Sequence, residues 1–286
     1  MAHGVWERVP LGIDELNGVA FIHIPKCAGT SVGNQLKRLA NWRWDEGLLD
    51  HPELGQICPA HVPLVFLKTY YPDDFTKLST CESFALVRDP HDRFASAVFE
   101  RIDWYLGVNR IEVTIDQALG EARKVIEWLR GRERFCDAEY IHFSRQVDYV
   151  ALDGERLVRH VYPVEEMGRF GEHLGRVAGI AFDETQKANV NYALPRNGLF
   201  GLLYRLRPIY IHLTTPAMRR SVLFLLKRFD RQGPKTLYDQ FRRDPEIGAF
   251  VESYYAQDFA LREAAKASLS QAPARGEPTH AATAFA

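Results

Sequence analysis

Two apolar runs in this chain stop abruptly at a turn that carries a cation. The first lies in FIHIPKCAGTS, Phe21 to Ser31: the run Val19 to His23 ends there, and a proline, a lysine and a glycine follow before helix-forming sequence resumes at Ser31. Val32, Leu36 and Leu39 then share one helical face, with Thr30 or Ser31 as the expected cap. The second run, SFALV at Ser83 to Val87, ends at Arg88, Asp89 and Pro90. Beyond it Phe94, Ala97, Val98, Arg101, Ile102 and Tyr105 suit a helix with one buried face. A strand-loop-helix unit that recurs predicts a parallel sheet with helices packed on its faces, an α/β fold.

The remaining pattern extends that reading. Helices are expected over Ile115 to Leu129 with Thr114 as cap, and over Ala217 to Arg228 with Thr215 and Pro216 at the start. Another is expected from Asp244 and Pro245 past Tyr255 to about Ala267, and a short strand over Leu157 to Val161. Residues 1–18 read as an N-terminal extension, 19–266 as the folded domain, and 267–286, small and polar, as a disordered tail. No repeat occurs at a fixed period.

At 286 residues with 46% hydrophobic content the chain can fill a sizeable core. Its 36 basic and 37 acidic side chains nearly cancel, so no global field draws it to nucleic acid and any recognition of an anion must be local. Cys27, Cys58, Cys81 and Cys136 form no C-x-x-C pair and no zinc-ligand spacing; reduced thiols in a cytoplasmic protein are the simplest reading. No stretch reaches the roughly 18 apolar residues of a membrane span, and the first residues lack the apolar core of a signal peptide.

A turn at the carboxyl end of a buried parallel strand presents backbone N–H groups and the positive end of the next helix, so an anion is favoured there. Gly29 allows close approach, Thr30 and Ser31 add hydroxyls, and Lys26 adds a full charge. The result is a phosphate or sulfate cradle, although an ordinary turn with a solvated lysine has the same letters. The loop does not match G-x-x-x-x-G-K-[ST], because the lysine precedes the one glycine. A nucleotide triphosphatase would place a magnesium-binding aspartate at a neighbouring strand end. Here that strand ends in Arg88, which suits another phosphate better than a metal.

IPKCAGTS together with LVRDPHDRFASAVFER resembles the two signature segments of carbohydrate-type sulfotransferases that use 3′-phosphoadenosine-5′-phosphosulfate (PAPS). The resemblance implies a P-loop NTPase-like parallel sheet flanked by helices. It also implies that Lys26, Ala28, Gly29, Thr30 and Ser31 hold the 5′-phosphosulfate, and that Arg88 and Ser96 hold the 3′-phosphate. AHVPLVF is similar to the family's segment bearing the catalytic base and places His61 there. YPVEEMGRF, the stretch Asn189 to Asn191 and ESYYAQDFAL resemble later family segments, so the likeness runs from about Val19 to Leu261. Cys27 departs from it where threonine is usual.

In such a reaction charge grows on the bridging oxygen, which Lys26 is placed to stabilise, while His61 has the chemical type to take the acceptor's proton. His23 and His91 are weaker candidates for the base. Glu165 or Glu166 can serve as base or acceptor ligand, or simply begin a helix. Arg93 can reach phosphate or form a salt bridge in the first helical turn, and Asp89 caps the helix at Pro90. The segment from Arg196 to Arg231, basic and apolar with few acids, reads as two amphipathic helices or as a face for an anionic glycan or the inner membrane surface. The leading expectation is sulfuryl transfer to a hydroxyl of a carbohydrate or glycolipid, without a metal. A catalytically silent nucleotide-binding or scaffold protein and a P-loop small-molecule kinase are the alternatives.

Overall fold

The sheet expected from the recurring units is present in the computed structural model, which describes residues 10–45, 47–108, 113–184 and 235–271. In chain order the described strands are β1 (Gly12–Asp14), β2 (Val19–Ile22), β3 (Leu49–His51), β4 (Gly55–Ile57), β5 (Glu82–Val87), β6 (Ala151–Leu152), β7 (Glu155–Arg156) and β8 (His160–Pro163). The described helices are α1 (Gly29–Leu36), α2 (Leu64–Tyr70), α3 (Pro72–Thr80), α4 (Pro90–Trp104), α5 (Ile115–Leu129), α6 (Met167–Ala178), α7 (Lys235–Arg243), α8 (Pro245–Tyr254) and α9 (Ala256–Gln271).

The main sheet has the order β1-β2-β5-β8. β2 runs parallel to β5 in the register Phe21 to Phe84, and β5 runs parallel to β8 with Ala85 opposite Val161. Every residue of β2 is buried, as is β5 from Ser83 onward, which is why both read as unbroken apolar runs rather than as alternation. Phe170 of α6 packs edge-on against Phe21 and Phe84, tying the two central strands to one helix. Full burial of a side chain of this size stabilises the fold by roughly 1.5 to 3 kcal/mol.

A second core lies between helices. Phe94, Val98 and Ile102 on one face of α4 meet Ala122, Val125 and Leu129 of α5 and Phe241, Ile247 and Val251 of α7 and α8. Asp89 caps α4, accepting from the backbone N–H groups of His91 and Asp92 at 3.0 and 3.3 Å. Thr114 and Gln117 form a reciprocal capping box at the start of α5, whose bounds are those read from the sequence.

Several boundaries differ from the sequence reading. Residues 12–14, placed in the N-terminal extension, form an antiparallel edge strand on β2, with Ile13 also bridged to Arg43. Three residues between glycine, proline and acids are too few to show alternation. The strand expected over Leu157 to Val161 starts at His160, because the N–H groups of Leu157 and Val158 are taken by the carbonyl of Val150. The helix expected from Pro245 to about Ala267 is two helices, broken at Tyr255, and the second runs to Gln271. Tyr255 is fully buried and donates its hydroxyl to the carbonyl of Phe143 at 2.6 Å, while Asp258 is drawn inward three residues later. The helix expected at Ala217 to Arg228, the Asn189 to Asn191 stretch, the basic segment 196–231 and the tail beyond 271 lie outside the described residues.

Candidate active site

The carboxyl ends of β2, β5 and β8 open on a cavity of about 890 Å³. That is where ligands sit in open parallel sheets, because the strand-to-helix turns leave polar backbone unpaired there. The turn after β2 contributes His23, Lys26, Ala28, Gly29, Thr30 and Ser31, and the turn after β5 contributes Arg88. The segment after β8 adds Val164, Glu165, Met167 and Gly168. Ser96 and Glu100 reach the cavity from α4, and His61 and His142 from two short 3-10 turns.

The lysine loop is tightly shaped. Lys26 and Ala28 both adopt left-handed backbone, with φ of 66° and 63°, a conformation that costs a residue with a side chain and persists only where its surroundings enforce it. Ala28, and not Thr30 or Ser31, occupies the cap position of α1; no side chain caps the helix, and the two hydroxyl residues fall inside its first turn, on the cavity wall. A side chain at Gly29 would begin 1.7 Å from the His23 ring, so the glycine is required by a neighbour within its own loop. Cys27 points the other way: its buried thiol donates to Gln146 Oε1 at 3.2 Å, and burial pushes its pKa up to about 11. Its thiol lies outside the cavity lining, so a threonine hydroxyl is not missing from the cavity.

Arg93 does neither of the things expected of it. Its guanidinium is buried and bonds backbone carbonyls: Pro25 at 3.1 Å, His142 at 3.2 Å and Ser144. It therefore anchors the lysine loop to the His142 turn instead of reaching phosphate or a carboxylate. Gln146 does similar work for Arg88, accepting from its N–H at 2.8 Å and donating to its carbonyl at 2.9 Å. Asp258 holds Gln146 in turn, accepting from the N–H groups of Gln146 and Val147 at 2.8 and 2.9 Å. The Arg88 side chain, half-buried, donates to the Lys26 carbonyl at 3.4 Å and lies 5.6 Å from the Tyr238 ring centre.

His61 is buried, and its Nδ1 stands 3.2 Å from the carbonyl of His23. A carbonyl only accepts, so Nδ1 carries the proton and the lone pair is on Nε2. Burial pushes the pKa of His61 down to about 4, against the raising effects of that bond and of Glu100. Burial likewise pushes His142 down to about 3, and its ring lies 5.3 Å from that of His61. Both imidazoles are neutral at pH 7. His23, the third ring of the cluster, is also held well below 6.5 by burial, with its Nδ1 unpartnered among the described residues. Lys26 Nζ is paired with the carboxylate of Glu100, whose other oxygen lies 3.9 Å from His142 Nδ1.

All eight residues singled out in the sequence, Lys26, Ala28, Gly29, Thr30, Ser31, His61, Arg88 and Ser96, thus line one cavity. His91 does not; it packs on Phe259 and faces Glu252 at 3.9 Å. Glu165 lies at the cavity edge, paired with Arg262 at 2.6 Å, and Glu166 precedes α6 near Arg169. Glu100, His142, Gln35, Gln146 and Asp258 escaped sequence reasoning as site residues. Glu100 was accessible to it, standing one helical turn beyond Ser96. His142 and Gln146 lie in irregular backbone with no period to betray them. Among the described residues no group of side chains is arranged to hold a metal ion, and no helix is long and apolar enough to cross a membrane.

No curated protein and no solved structure matched the chain significantly. A sequence model did, that of the Sulfotransferase family, and because the match spans residues 10–261, taking in every residue of the cavity, the chain belongs to the Sulfotransferase family.

Proposed function

We propose that the protein moves a sulfuryl group from PAPS to a hydroxyl of a carbohydrate or glycolipid, on a fold of P-loop type. The observation that carries this reading is the convergence of the lysine loop and the Arg88–Ser96 pair, more than 50 positions apart in the chain, on one cavity beside a neutral histidine. Arg88 and Ser96 hold the 3′-phosphate, Arg88 by two parallel hydrogen bonds and Ser96 through its hydroxyl. Lys26, with the N–H groups and hydroxyls at the start of α1, holds the 5′-phosphosulfate and stabilises the charge that grows on the bridging oxygen.

As the bond from sulfur to that oxygen breaks, the acceptor oxygen bonds to sulfur and gives its proton to His61 Nε2, leaving adenosine 3′,5′-bisphosphate and a sulfate ester. His23 fixes which nitrogen of His61 receives the proton. The four free thiols support a cytoplasmic location, and the basic 196–231 segment is the proposed contact with the acceptor or the inner membrane face.

Calorimetric titration with adenosine 3′,5′-bisphosphate, beside ATP with magnesium, tests the donor. Micromolar binding of the bisphosphate, weakened at least tenfold by Lys26→Ala and by Arg88→Ala and not matched by ATP, is the expected outcome. Preference for ATP would return the protein to the kinase reading. Tight bisphosphate binding with no sulfation of any glycan acceptor would favour a silent binder.

A further inference from the structure

The cation on which donor binding would depend already has a carboxylate. Glu100 stands four residues beyond Ser96 on α4, so the two share one face of the helix, and both line the cavity. One Glu100 oxygen pairs with Lys26 Nζ; the other faces His142 Nδ1 at 3.9 Å. The pair is not a surface contact: the two side chains are 13% and 25% exposed, where Coulomb attraction is screened less than in open water. The left-handed backbone at Lys26 and the Arg93 bond to the Pro25 carbonyl fix the root of the lysine, so its reach is set while its tip can choose between partners.

A phosphosulfate group arriving at this loop brings negative charge to the same ammonium. The ammonium has three N–H donors and can touch both groups, but its single charge cannot neutralise both the donor and the carboxylate, and two anions brought together in a half-buried site repel. We propose that Glu100 is a positioning residue that occupies Lys26 in the donor-free protein and yields it when the donor binds, so that part of the attraction between the loop and the donor goes into breaking this pair. Released, the carboxylate remains beside His142 and His61, on the side of the cavity where a proton is to be received. Nothing in the two signature segments assigns position 100 a part in the site. The proposal rests on the reading of this cavity as the donor site, and its test separates the two.

The full-length chain is titrated with adenosine 3′,5′-bisphosphate as wild type, Glu100→Gln, Lys26→Ala and the double variant, with Glu100→Ala as a second replacement and thermal melting as the control for folding. Glu100→Gln should bind about tenfold more tightly than wild type, and Glu100→Ala should do so too. In the Lys26→Ala background the gain should shrink below about twofold, because the pair no longer exists to be broken. Unchanged or weaker binding by both Glu100 variants overturns the proposal and makes the residue a structural one. An equal gain with Lys26 absent also overturns it, since the carboxylate would then act only as a diffuse repulsive charge. If wild type binds ATP with magnesium in preference to the bisphosphate, the donor reading fails first and the proposal falls with it.

Discussion

His61 can take a proton only on the nitrogen that its neighbour leaves open. With Nδ1–H committed to the His23 carbonyl, Nε2 carries the lone pair, and burial keeps the ring neutral at pH 7. Replacing it with alanine should lower turnover by about 10²- to 10⁴-fold while leaving the affinity for adenosine 3′,5′-bisphosphate within about twofold; single-turnover kinetics beside calorimetry would show both. If turnover survived, the proton would have to leave by another route, and His23 and His142, with ring centres 4.4 and 5.3 Å from that of His61, are the neighbouring imidazoles. At this scale the sequence was informative where a fixed loop carries a rare residue, as at Lys26, Gly29 and Arg88, all three of which line the cavity. It was uninformative where a common residue does its work through backbone: Arg93 looks like a second phosphate ligand in the letters, and only the fold turns it toward three carbonyls.

The elements around the site depend on one another through a few buried polar links. Asp258, at the start of α9, receives two backbone N–H groups from the turn that carries Gln146, and Gln146 brackets the backbone of Arg88. Asp258→Ala would leave two donors without their acceptor and should destabilise the protein by about 2 to 4 kcal/mol, measured by urea unfolding; bisphosphate affinity should fall as Arg88 loosens. Strands β2 and β5 and helices α4 and α5 were legible because apolar runs, a proline-initiated helix and a threonine cap announce them. The break at Tyr255 was not. Both halves have helical periodicity, and what separates them is a tyrosine docking on Phe143 and an aspartate turning inward, contacts made across more than 100 residues of chain.

Taken whole, the molecule gathers three imidazoles of lowered pKa at the mouth of its sheet. A histidine whose folded pKa lies below its unfolded value binds fewer protons when folded, so stability rises with pH between the two values. For His61, with a folded value of about 4 against an unfolded value near 6.5, stability should fall as pH drops through that window, by up to about 3 kcal/mol. Urea midpoints at pH 7 and pH 5 would show this, and His61→Phe should flatten the slope.

The cavity also has a temporal side. Its lining begins at His23 and ends at Glu184, Gln35 is bonded to both the N–H and the carbonyl of Asp183, and the lock on Gln146 waits for Asp258. A ribosome adding roughly 5 to 20 residues per second therefore exposes the lysine loop for tens of seconds before its last support has been synthesised. The emerging chain has its lysine loop early and the means to shape it late, so the cavity is completed near the end of translation rather than growing with length.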